Sequence, residues 1–208
     1  MLQFDTYYHI YNHANGSENL FREKRNYFFF LKKYHQHIDP IAYTIAWCLM
    51  PNHFHLLIKI RREEEVDCLK NFSKVSNFRK VDDDYEEETK RKSLFLSKQF
   101  SNFFSSYTQS YNKVYKRRGS LFLKNFKRKE VKDETYLRNL IFYIHLNPIH
   151  HGFTDNPLDW EHCSYATFLK KQPELLQQLF DTLENYEYLH QVKSFNFDEY
   201  ENLENELT

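Results

Sequence analysis

Two hydrophobic periods alternate along the first part of the chain. The run "TYYHIYNHA" (residues 6–14) is rich in β-branched and aromatic side chains and ends at Asn15-Gly16, a strong turn signal, so it predicts a first strand. In "SENLFREKRNYFFFLKKYHQHI" (residues 17–38), Leu20, Phe21, Phe28 and Leu31 recur at helical spacing behind the candidate N-caps Ser17 and Asn19. That predicts a helix, which Asp39-Pro40 breaks. Strand chemistry returns in "IAYTIAWCLM" and "HFHLLIKI", and Pro51-Asn52 between them marks a tight connection, the pattern of an antiparallel hairpin.

Residues 61–93 are highly charged and only weakly periodic, with an acidic knot at "DDDYEEE"; they read as a short helix and an inserted excursion. From Leu94 the pattern turns regular. Leu96, Phe100, Phe103, Phe104, Tyr107, Tyr111, Val114 and Tyr115 step by three and four, as one stripe of an amphipathic helix does, and Gly119 closes it. "SLFLKNFKRKEV" then predicts a further strand flanked by bases, and Asp133 caps a helix "ETYLRNLIFYIHLN" that Pro148 is expected to stop. "SYATFLKKQ" and "PELLQQLFDTL" predict short helices, and the last, acidic residues show no clear apolar period. The order of elements is α+β. It suggests one domain over residues 1–170 and a helical, acidic extension over residues 171–208.

Composition agrees with a globular domain: 208 residues, 41% hydrophobic and 18% aromatic, can bury one sizeable core. No apolar run approaches the roughly 20 residues that span a bilayer, and no early stretch has the form of a cleaved leader, so a cytoplasmic location is expected. Cys48, Cys68 and Cys163 are odd in number and far apart, which supports neither a disulfide framework nor a thiolate zinc site. The formal net charge of zero hides a polarised chain. Residues 112–132 carry nine Lys and Arg against Glu130 alone, whereas residues 181–208 carry eight acids against Lys193. The first segment offers a basic surface to phosphates; the second is an acidic tail.

Candidate chemistry begins at "MPNHFHLL". Side chains alternate across a strand, so His53 and His55 share one face while Phe54, Leu56, Ile58 and Ile60 share the other. The apolar set packs under helices, and the two imidazoles project from the opposite, solvent-facing side, spaced to reach one metal ion. Taken alone, such a pair is as well explained by polar residues on a half-exposed face. A third donor is offered by "YIHLNP": Tyr143 and Asn147 stand four apart on one helical face, with Leu137, Leu140, Ile141 and Ile144 as the opposing apolar stripe. An amide oxygen suits Mg²⁺ or Mn²⁺ rather than a thiolate metal, and a phenol one turn away could attack what the metal holds. By themselves a Tyr and an Asn at this spacing also fit core or cap roles.

The succession "MPNHFHLL", "GSLFLKNFK", "YIHLNPIHHGF" and "DWEHCSYATFL" resembles the REP-associated tyrosine transposases of the HUH single-tyrosine transposase and endonuclease superfamily, over about residues 7–169. The resemblance implies a ferredoxin-like central antiparallel sheet flanked by helices. It implies a divalent metal, Mg²⁺ or Mn²⁺, on His53, His55 and Asn147, with Tyr143 as nucleophile on single-stranded, hairpin-bearing DNA through a 5′-phosphotyrosine intermediate. Arg117, Arg118, Lys124, Lys127 and Arg128 would neutralise backbone phosphates in a monomer or homodimer. His13 stands where the family pattern leads one to expect an arginine. A domesticated, non-catalytic nucleic-acid-binding module is the second expectation, and a structural or interaction protein that binds through its acidic tail is the third.

Overall fold

The computed structural model describes residues 1–67 and 85–191. Strand β1 (Tyr7–His13) leads through helix α1 (Lys24–Ile38) to the hairpin of β2 (Ala42–Leu49) and β3 (His53–Ile60). Helix α2 (Tyr85–Val114) and strand β4 (Lys127–Glu130) complete a four-stranded sheet in the order β2-β3-β1-β4, antiparallel throughout. This is the ferredoxin-like α+β arrangement the motifs imply. Helices α3 (Glu134–His150), α4 (Tyr165–Lys171), α5 (Pro173–Phe180) and α6 (Leu183–Gln191) follow.

Alternation along the strands divides the core in two. Tyr8, Ile10, Phe54, Leu56 and Ile58 face Phe30 and Tyr34 of α1 and Phe100, Phe103 and Tyr107 of α2. Tyr11, Ala46, Cys48 and Leu57 face the other way, against Ile141 and Ile144 of α3, Phe168 of α4, Phe180 of α5 and Tyr186 of α6. A β-bulge between Thr44 and Ala46 lets Ile45 and Ala46, consecutive in sequence, both join this second core. Each fully buried Phe contributes about 1.5–3 kcal/mol by leaving water, so the two cores together fix the sheet between helical layers.

Four boundaries differ from the sequence reading, the first being β4, which holds Lys127–Glu130 alone of the strand expected over residues 120–131, Phe122 adding only an isolated bridge to Ala14. Helix α1 starts at Lys24 rather than near Ser17, because the Asn26 amide oxygen accepts the backbone N–H groups of Arg22 (2.9 Å) and Glu23 (3.1 Å) and fixes the first turn there. Leu20 and Phe21 are buried from the preceding loop, while the helix buries Tyr27, Phe30, Tyr34 and Ile38 and leaves Phe28 59% exposed. Helix α3 runs through Pro148 to His150; the proline removes one bond near the end, and the His151 N–H closes on the Asn147 carbonyl at 3.1 Å. In α2 the stripe from Leu96 to Tyr111 is buried as expected, but Val114 is 54% exposed. The helix begins at Tyr85, inside the expected insertion, most of which lies outside the described residues, as does the acidic tail beyond Gln191.

Both sheet edges are dressed. Along β2, Ser164 N–H donates to the Trp47 carbonyl (2.8 Å), the Trp47 N–H to Ser164 Oγ (2.8 Å), Leu49 N–H to the His162 carbonyl (2.9 Å) and the Gln172 amide to the Thr44 carbonyl (3.1 Å). Along β4 the four residues Lys127, Arg128, Lys129 and Glu130 are all charged. Among the described residues no helix is long and apolar enough to cross a membrane.

Candidate functional site

The register of β1 on β3 sets Tyr11 opposite His55 and His13 opposite His53, so His9, Tyr11 and His13 share a face with both histidines of the "HFH" triplet. That face is not open to solvent. Helix α3 lies across it, leaving His53 5% exposed and His55 fully buried. The expectation of a solvent-facing histidine pair is therefore corrected: a period of two says which residues share a face and nothing about whether a further layer covers it. Nor does α3 have separate polar and apolar stripes here, since every residue from 140 to 148 is buried.

Asp133 starts α3, its carboxylate accepting the Tyr136 N–H at 2.7 Å, and the helical pitch then places Tyr143 and Asn147 one turn apart over the histidines. His53 Nε2 lies 3.0 Å from Asn147 Oδ1, and His55 Nε2 lies 3.4 Å from the Tyr143 hydroxyl. The four predicted groups thus meet in one place. The remaining ring nitrogens are held from behind: His53 Nδ1 is 2.9 Å from Asn52 Oδ1, and His55 Nδ1 is 3.0 Å from His9 Nε2. Both partners are acceptors, so the one N–H of a neutral His53 serves either Asn52 or Asn147; with the proton on Nδ1, an Nε2 lone pair is turned towards Asn147 Oδ1. Two lone pairs 3.0 Å apart need a positive charge between them, either a proton or a cation. Adjacent ligands of an octahedral ion with bonds of about 2.0–2.1 Å stand about 3.0 Å apart, so the donor set fits Mg²⁺ or Mn²⁺.

Burial, reinforced by neighbouring His9, His53 and His151, holds His55 well below the usual histidine range, which keeps it a neutral ring with a lone pair to offer. Among the described residues no three His, Cys, Asp or Glu side chains are grouped to hold a metal ion, so a cation here depends on the Asn147 amide. At the mouth His13 stacks on His53, with ring centres 5.9 Å apart and planes 7° apart, and His151 packs on its other side at 4.9 Å. Sequence reasoning missed His9 and Asn52, which orient the two rings; the same alternation that paired His53 with His55 places His9 and His13 beside them. It also missed His145, on the far side of α3, whose Nδ1 lies 2.9 Å from the Tyr186 hydroxyl and whose Nε2 lies 2.9 Å from Ser164 Oγ.

The predicted phosphate-binding residues divide. Arg117 donates to Asn112 Oδ1 (2.7 Å) and the Ser120 carbonyl (3.2 Å) and pairs with Glu18 (3.3 Å), which ties down the end of α2. Arg118 is exposed beside it. Lys124 and Arg128 line a groove of about 1060 Å³ against α2, on the sheet face opposite the histidines, whereas Lys127 touches the groove but pairs with Tyr11 and so belongs to the histidine face of β4.

No protein-family model matches the chain. Over 131 residues it is 24% identical to a Haemophilus influenzae protein named "Putative REP-associated tyrosine transposase", an alignment that spans 62% of this chain and 62% of that one. The chain thus covers less than two thirds of that relative's length. A REP-associated tyrosine transposase solved bound to a REP hairpin is similar in fold, with a TM-score of 0.54 and 14% identity over 82% of each chain. Both comparisons lead to the family that the motifs resemble.

Proposed function

We propose that this chain is a tyrosine transposase-like enzyme of that family, a metal-dependent endonuclease and strand transferase on single-stranded, hairpin-associated DNA. One observation carries the reading: Tyr143, His53, His55 and Asn147, drawn from two distant segments, converge on one another while His9 and Asn52 hold the outward ring nitrogens. His53 Nε2, His55 Nε2 and Asn147 Oδ1 would hold the cation. Bound there, Mg²⁺ or Mn²⁺ supplies polarisation of a non-bridging phosphate oxygen and offsets the charge that builds on it.

The protein's own groups do the rest. When His55 donates Nδ1–H to His9, its single Nε2 lone pair faces the Tyr143 hydroxyl at 3.4 Å; given to a cation held there, that lone pair leaves the phenol beside it, free of the ring. A free phenol, with a pKa near ~10, is a weak nucleophile, so it must lose its proton as it attacks. The Tyr143 oxygen forms a bond to phosphorus, the bond to the 3′ oxygen breaks, and that oxygen leaves as a hydroxyl after taking a proton. A 5′-phosphotyrosine remains, and attack by another 3′-hydroxyl reverses the step and joins strands without a nucleotide cofactor.

A second reading, a binding module without turnover, is favoured by the burial of Tyr143, which is 0% exposed between α3 and the sheet. Incubation with hairpin-bearing single strands and Mn²⁺, followed by a denaturing gel and mass spectrometry, decides between them. Nucleotide on the Tyr143 peptide supports the enzyme; DNA binding with no covalent species under any metal sinks it and leaves the module.

A further inference from the structure

The groove between α2 and the segment leading into β4 has two unlike walls and an aromatic floor. One wall is a row on α2, Ser97, Ser101, Ser105 and Thr108, successive turns of one helical face. The opposite wall is cationic: Lys124 and Arg128, the latter with its guanidinium 5.3 Å from the centre of the Phe126 ring. Phe104 and Phe126, 5.5 Å apart, floor the space between and are half-buried. Among the described residues no carboxylate lines it. A wall of hydroxyl donors facing a wall of positive charge, over exposed ring surface, matches a chain that presents anionic oxygens at intervals and flat apolar faces between them.

We propose that this groove is the track for one strand of nucleic acid, with phosphates bridged between the hydroxyls of α2 and the cations Lys124 and Arg128. The inference rests on the DNA reading above and adds a binding surface on the sheet face away from the histidines. From Ser97 to Thr108 the helix rises about 16 Å, long enough to follow a few nucleotides of a single strand. Groove and histidine site share a lip. The segment carrying Leu123 and Lys124 is fastened to the end of β1 by Leu123 N–H on the His13 carbonyl (2.9 Å), Asn15 N–H on the Leu121 carbonyl (2.8 Å) and the Asn12 amide on the Leu123 carbonyl (3.3 Å). His13, at that same place, stacks on His53. A strand leaving the groove over this lip arrives at the mouth of the site, so the track would feed the reacting phosphate rather than store DNA apart from it.

The test uses the full chain and two opposite changes on the α2 wall, which takes no part in the chemistry. Binding of a labelled dT oligonucleotide and of a DNA hairpin is measured at physiological salt. Ser97→Glu/Ser101→Glu/Ser105→Glu places like charge against the phosphates and should weaken binding about tenfold or more. Ser101→Lys/Ser105→Lys should strengthen it about threefold or more and steepen its salt dependence, a gain that misfolding cannot mimic. Any pattern other than loss with Glu and gain with Lys overturns the groove. Wild-type protein that forms the Tyr143 adduct while both variants bind as it does overturns the groove alone. Binding that responds to both variants without an adduct overturns the catalytic reading alone. Wild type that binds neither probe overturns both.

Discussion

Acid should unfold this protein through α6, and His190 lets the effect be sized. Its ring is 5% exposed and packed on Tyr186, Phe142 and Tyr165, with centres 4.2, 4.6 and 4.9 Å away. Nδ1–H donates to the Tyr186 carbonyl at 2.7 Å, which leaves the lone pair on Nε2, a buried atom with no partner among the described residues. Protonation would put a charge among aromatic rings, and burial pushes the pKa down to about 4. The folded value thus lies below the unfolded one of ~6.5, so the unfolded chain binds the extra proton first as pH falls. Stability from this group is whole above pH ~6.5 and is lost at up to about 1.4 kcal/mol per pH unit, about 3 kcal/mol in all by pH ~4. Burial holds His145 and His55 well below their usual range too, and both act in the same direction. Urea unfolding followed by circular dichroism at pH steps from ~7 to ~4.5 measures the slope. His190→Phe keeps an aromatic ring and removes the titration, so its stability should fall with acid less steeply by one proton. Parallel curves for the two proteins would refute the account.

Other outcomes follow from the same geometry. Tyr143→Phe deletes one hydroxyl from a buried ring and should keep the fold, metal binding and DNA binding while forming no covalent adduct; full cleavage by this variant, or an adduct on another tyrosine, contradicts the assignment. His53→Ala and His55→Ala should both abolish cleavage, and because His55 is fully buried and bonded to His9, its loss should also cost about 2–4 kcal/mol in chemical denaturation, more than that of His53. Asp133→Ala removes the cap of α3 and should cost about 1 kcal/mol, read as a lower urea midpoint at unchanged slope. Replacing Lys124, Lys127 and Arg128 with alanine should lower the slope of log affinity against log salt by about 2–3, and an unchanged slope would move the DNA path elsewhere.

What the sequence disclosed was periodic or local. Strict alternation marked β3 and the shared face of His53 and His55, a three-four stripe marked α2, and a single carboxylate marked the start of α3. Layering was hidden. Tyr143, His145 and Asn147 of α3 are buried as fully as the apolar stripe of Leu140, Ile141 and Ile144, so this part of the helix has no exposed side to betray its neighbours. Tyr186 and His190 are the buried residues of α6, with Leu189 packed partly against the same core, too few to stand out among Glu184, Glu187 and Tyr188. Phe28 sits in an aromatic run with Phe29 and Phe30, and only the turn fixed by Asn26 decides which of the three faces out. The site residues were legible because their spacing follows the element that carries each; their orienting partners were not, because His9 and Asn52 act across the sheet and across a turn.

The two sheet edges differ in how they resist self-association. Strand β2 is stopped by its own chain: the segment around His162 and Ser164 and the side chain of Gln172 occupy groups that would otherwise template a second molecule. That protection is a set of hydrogen bonds from a tethered segment, insensitive to salt, and it is weakened if the chain is cut before His162. Strand β4 relies on charge. A second copy pairing there would bring Lys127, Arg128 and Lys129 against their like, a repulsion that fades as the Debye length shrinks to about 3 Å near 1 M salt. Concentrated salt therefore opens one route to edge-to-edge oligomers and truncation opens the other, on opposite sides of the same sheet.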